Sequence, residues 1–86
     1  MAKYDPLNRY LRRQNAADVV LTFTEIENLL TALLPGSASR REWWVNDAAS
    51  TNVQARAWME AGYDAFPETG RERVTFRRRA ARLEGS

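Results

Sequence analysis

The stretch Tyr63-Asp64-Ala65-Phe66-Pro67-Glu68-Thr69-Gly70-Arg71-Glu72-Arg73-Val74-Thr75-Phe76-Arg77 decides the fold. Its second half alternates strictly, Val74 and Phe76 to one side and Arg73, Thr75 and Arg77 to the other, as a half-buried strand does. Tyr63 through Phe66 supplies a partner strand, and Pro67 through Glu72 is a turn-rich connection. The spacing therefore predicts a β-hairpin with an arginine-studded face and tip. A two-stranded hairpin is not stable alone in water, so it must pack on whatever precedes it.

What precedes it reads as helical. Asp5-Pro6 opens a first helix, the aspartate as N-cap and the proline at the first helical position. Leu7, Tyr10 and Leu11 follow at helical spacing to an end near Gln14-Asn15. Val19-Val20-Leu21 is β-prone and predicts a brief strand or extended entry. Thr22 with Glu25 three residues later forms a capping box, and Phe23, Ile26, Leu29, Leu30 and Leu33 mark an amphipathic helix over 23–33. Leu34-Pro35-Gly36 stops it. Ser39 with Glu42 suggests a second capping box and a short helix through residue 45. Asn52 can cap a helix over 52–61, its inner face made by Val53, Ala57, Trp58 and Ala61, with Gly62 just beyond the end; a strand over 55–61 is the alternative.

The expectation is an α+β fold, a compact domain of three to four helices with a C-terminal hairpin, resembling a winged helix-turn-helix. Residues 1–86 read as a single domain with an ordered core over about 4–78 and a flexible basic tail over 79–86. The segment 38–45 between the second helix and the one before the hairpin is an addition to the simplest helix-turn-helix.

Composition narrows the function. Of 86 residues, none is cysteine or histidine, which excludes a disulfide framework, thiol catalysis, a Ser-His-Asp triad and Cys/His zinc sites. The one lysine, Lys3, lies at the N-terminus, and the carboxylates Asp47, Glu60, Asp64 and Glu68 show no metal-site spacing. A non-enzymatic protein without metal or cofactor is expected. No signal-peptide run or long apolar stretch appears, so a cytoplasmic protein with no membrane partner is expected.

Charge is unevenly placed. The net +2 comprises +3 over residues 1–13, −5 over 14–69 and +4 over 70–86, and twelve of the thirteen cations are arginine. Arginine pairs bidentately with phosphate or a guanine edge, which lysine cannot do. In a winged helix the helix before the hairpin enters the major groove and the wing flanks it on the backbone. Thr51, Asn52, Gln54 and Arg56 are then candidate base and phosphate contacts, and Arg71, Arg73, Arg77, Arg78 and Arg79 candidate phosphate contacts. The same residues have a plainer reading, with Asn52 as a cap, Gln54 solvated and Arg56 paired to Glu60 at i,i+4.

Trp43 and Trp44 are adjacent, so on a helix they point about a hundred degrees apart, one into the core and one partly exposed. With Arg40 and Arg41 beside them they form a candidate base-stacking or partner-binding surface. Two functions follow. One is binding of nucleic acid, double-stranded DNA in first place. The other is a protein-interaction module, such as a phage- or defence-related inhibitor or adaptor. A monomer or weak homodimer fits either.

A family resemblance rests on Tyr4-Asp5-Pro6-Leu7, on Leu21 through Glu27, on Leu34-Pro35-Gly36-Ser37-Ala38, and on Trp43-Trp44-Val45-Asn46-Asp47. Gln54-Ala55-Arg56-Ala57-Trp58 with Ala61-Gly62-Tyr63, and Val74-Thr75-Phe76-Arg77-Arg78, complete it. Over about residues 4–79 the chain resembles a small bacterial or phage domain family of unknown function. The resemblance implies no particular activity.

Overall fold

A computed structural model describes residues 3–47 and 52–79. The chain runs α1 (Asp5–Arg12), β1 (Asp18–Thr22), α2 (Phe23–Leu30), two short 3-10 turns (Gly36–Ser39 and Arg41–Trp43), α3 (Val53–Met59), β2 (Tyr63–Glu68) and β3 (Arg73–Arg78), with a further 3-10 turn at Thr69–Arg71. The α+β fold read from the sequence is the observed one.

The hairpin is part of a larger sheet. β3 lies in the middle, antiparallel to both neighbours, in the order β1-β3-β2. The β-prone Val19-Val20-Leu21 thus becomes a full outer strand. Val19 and Leu21 point inward with Val74, Phe76, Tyr63 and Ala65, and these inner residues are all buried. β2 runs through Pro67, further than the sequence indicated. Proline is tolerated there because β2 is an edge strand and residue 67 faces away from β3.

Several helix boundaries differ from expectation. Tyr4, not Asp5, holds the N-cap position of α1, so Asp5 lies in the first turn, where a carboxylate suits the helix dipole. α2 has the expected capping box, Thr22 Oγ1 accepting from the Glu25 amide and Glu25 accepting from the Thr22 amide. It ends at Leu30 rather than residue 33, because Thr31 turns left-handed (φ 52°) and its amide closes onto the Glu27 carbonyl. Leu33 is consequently 78% exposed instead of extending the apolar face. No regular helix covers 40–45. Ser39 donates its hydroxyl to the Gly36 carbonyl and caps nothing beyond it. α3 is helix, not strand, and Asn52 takes its N-cap position without a side-chain capping bond. Ala55, Ala57 and Trp58 form the buried side of α3, while Val53 is 59% exposed. The expected loop 48–51 and the tail beyond Arg79 lie outside the described residues.

The helices cover one face of the sheet around an aromatic core. Trp58 stacks on Trp44 with centroids 5.4 Å apart, Trp44 stacks on Phe23 at 5.7 Å, and Phe76 meets Trp58 at 5.9 Å. Each such pair contributes about 0.5–1.5 kcal/mol beyond its area. Both buried indoles are satisfied. Trp44 Nε1 donates to the Ala38 carbonyl at 2.9 Å, and Trp58 Nε1 to the Val45 carbonyl at 3.0 Å and Asn46 Oδ1 at 3.1 Å. The irregular segment 36–47 is thereby fastened from the inside.

Candidate nucleic-acid interface

Strand alternation sorts the outer face of the sheet into three rows. Asp18, Arg77 and Asp64 lie in register across the first, Val20, Thr75 and Phe66 across the second, and Thr22, Arg73 and Glu68 across the third. The arginines here face carboxylates. Arg77 pairs with Asp18, Arg73 with Glu68 and Arg79 with Asp64, each at 3.0 Å. The hydrogen bond that Arg77 donates to Asp18, and then the carboxylate's charge, raise the Arg77 pKa above its ordinary value. These pairs are open to solvent and screened by it, so they contribute little to the stability of the fold. Their consequence is local neutrality. The face expected to present a row of bare cations presents alternating signs around an apolar centre, with the Arg77 guanidinium 5.5 Å from the Phe66 ring. Arg71, in the 3-10 turn, is exposed at the tip.

On α3 the candidate base contacts diverge. Gln54 Nε2 donates to the Trp43 carbonyl at 3.2 Å and ties α3 to the preceding turn. Arg56 pairs with Glu60 at 3.0 Å, the i,i+4 pair allowed for in the sequence, and both are exposed. Asn52 is exposed at the helix start. Thr51 lies outside the described residues.

The candidate partner surface is divided as the adjacent tryptophans require. Trp44 is 3% exposed and belongs to the core, so it cannot anchor a partner, whereas Trp43 is half-buried. Arg40 and Trp43 line a hollow with Ser37, Glu42, Asn52 and Gln54, and Arg41 is exposed beside it.

A third cluster joins the two basic segments of the sequence. Arg9, Arg12 and Arg13 recur at spacings of three and four at the C-terminal end of α1, where cations suit the dipole. β3 ends against the segment that follows α1. The Arg78 amide donates to the Ala17 carbonyl at 2.7 Å, its guanidinium to the Gln14 carbonyl at 2.6 Å and the Tyr63 hydroxyl at 3.0 Å, and Tyr63 in turn donates to Ala16. The guanidinium also lies 5.0 Å from the Tyr63 ring centre. No carboxylate pairs with Arg9, Arg12, Arg13 or Arg78 among the described residues. In the sequence the two basic ends are separate segments. The bond from Arg78 to Gln14 spans 64 residues, and no local pattern announces it.

Among the described residues no group of three His, Cys, Asp or Glu could hold a metal ion, and no helix is long and apolar enough to cross a membrane. The chain belongs to a family described as a domain of unknown function, DUF7662, whose model matches residues 4–80. No curated protein and no solved structure matches it.

Proposed function

We propose that this member of a family without an assigned activity is a non-enzymatic, cytoplasmic nucleic-acid-binding domain that takes double-stranded DNA. The observation that carries the reading is the contact from Arg78 to the Gln14 carbonyl, which brings the end of β3 to the end of α1. Arg9, Arg12, Arg13 and Arg78 then form one cationic end without carboxylate partners among the described residues, with Arg79 beside it. Such a surface suits the phosphate backbone, where counterion release supplies most of the affinity. The order of helix, strand, helix, helix and two strands, with the first strand completing the sheet, suits a winged helix-turn-helix and supports the same reading. Asn52 and Arg56, both exposed on α3, are the candidates for base edges in this reading, Arg56 by exchanging its pairing with Glu60, and Thr51 precedes them in the chain.

The wing has a smaller part in this reading than the count of its arginines suggests, because Arg73 and Arg77 are held by Glu68 and Asp18. The test is fluorescence anisotropy with a labelled duplex. Arg9→Gln with Arg13→Gln weakens binding to all sequences alike and lowers the salt slope by about two units. Arg73→Gln with Arg77→Gln has the smaller effect. If the first pair binds as the parent does, or the second pair loses more, the basic end is not the interface.

A further inference from the structure

The two outer strands of the sheet are treated differently. In an antiparallel ladder, alternate residues turn their amide and carbonyl toward the partner, and the others turn them away. The Arg79 amide bonds the Gly62 carbonyl, so even-numbered residues of β2 pair with β3 and Tyr63, Ala65 and Pro67 face outward. That edge is blocked at its middle. The Asn46 side chain takes both outward groups of Ala65, Nδ2 donating to its carbonyl at 2.8 Å and Oδ1 accepting its amide at 2.7 Å. Pro67 has no amide to offer.

On β1 the parity is reversed. The bonds from the Arg78 amide to Ala17 and from the Phe23 amide to the Glu72 carbonyl show that odd-numbered residues pair with β3. Asp18, Val20 and Thr22 therefore face outward. The Thr22 amide is taken by Glu25 in the capping box. The amides and carbonyls of Asp18 and Val20 have no partner among the described residues, and neither proline, lysine nor a bulge guards this edge. Beside it is a shallow apolar hollow of about 290 Å³ lined by Tyr10, Leu21, Glu25, Asn28 and Leu29. Glu25 on its rim holds the Thr22 amide but pairs with no cation among the described residues, whereas Asp18 on the strand is already paired with Arg77.

We propose that β1 is a docking edge for an extended segment of a partner protein, which adds as a fourth strand. It bonds the backbone of Asp18 and Val20, sets one apolar side chain into the Tyr10–Leu21–Leu29 hollow, and carries arginine or lysine beside that anchor, toward Glu25. Main-chain bonds supply affinity in strand addition, and the hollow and the charges supply selectivity. This site uses none of the arginines of the basic end and does not depend on the nucleic-acid reading.

The test titrates the ¹⁵N-labelled full chain with the synthetic peptide acetyl-Arg-Thr-Leu-Thr-Arg-amide, without DNA. The Asp18 and Val20 amides shift and gain exchange protection while Ala65 is unchanged, and replacing the central leucine by serine weakens binding about tenfold or more. Val20→Pro removes one outward donor without touching the ladder to β3, and abolishes the response. If that variant does not fold, Leu29→Gln weakens the leucine peptide alone and leaves the serine peptide unaffected. Shifts centred on β2, equal binding of both peptides, or no shift at millimolar peptide overturns the proposal. So does a Val20 shift that depends on protein concentration alone, since the occupant is then a second copy of the chain.

Discussion

The Asn46 carboxamide serves Ala65 as a missing neighbouring strand would. One side chain satisfies both outward backbone groups at 2.7 and 2.8 Å, and the same oxygen accepts from the Trp58 indole at 3.1 Å. One exposed residue in the irregular segment thus joins the sheet edge, the Trp58 indole of the core and the chain ahead of α3.

Asn46→Ala leaves the Ala65 amide and carbonyl without these bonds and takes one of two acceptors from Trp58. The expected loss is about 2–3 kcal/mol, read as a lower urea midpoint, together with faster hydrogen exchange at Ala65. Asn46→Asp keeps the acceptor and loses the donor, so it falls between parent and alanine. An unchanged midpoint for Asn46→Ala contradicts the assignment.

The end of α2 rests on a threonine in left-handed conformation, which costs a β-branched residue about 1–2 kcal/mol. Thr31→Gly relieves this but loses the hydroxyl bond to the Leu30 carbonyl, so a net gain of about 0.5 kcal/mol is expected in thermal unfolding. Leu33→Ser changes stability by less than about 0.5 kcal/mol, although its spacing continues the apolar face. Ile26→Ala, fully buried on the same helix, costs about 2–5 kcal/mol.

Burial raises the pKa of the Tyr4 hydroxyl above its ordinary value. The folded state thus favours the neutral phenol, and that stabilisation is complete below the unfolded pKa of about 10. It is lost as pH rises through the higher folded value. Tyr4→Phe has no phenol to ionise, so its stability declines less than the parent's from about pH 9.5 upward. Parallel declines in urea titrations across that range contradict this.

Much of the fold was legible. The alternation through Arg73–Arg77, the Thr22–Glu25 capping box and the apolar spacing of α2 are local signals, and local physics sets them. The three-stranded sheet was only half legible, since Val19-Val20-Leu21 announces a strand but not its partner, more than fifty residues away. Leu33 misled because periodicity does not report where a left-handed residue ends a helix. The candidate site was less legible still. A charge count cannot distinguish a bare arginine from one held by a carboxylate across the sheet, as Arg77 is by Asp18. Asp64 and Glu68, spaced to share one strand face opposite the wing arginines, were the available signal. Asn46 and Gln14 act through backbone atoms or onto them, and residue type alone does not mark either.

The central claim is that the cationic end formed by Arg9, Arg12, Arg13 and Arg78 engages a polyanion. The most direct measurement is anisotropy of a labelled duplex with the parent chain between about 50 and about 300 mM salt. Four to five phosphate contacts predict a log–log slope near −4, similar for unrelated sequences. A flat dependence, or no binding at the lowest salt, contradicts the account.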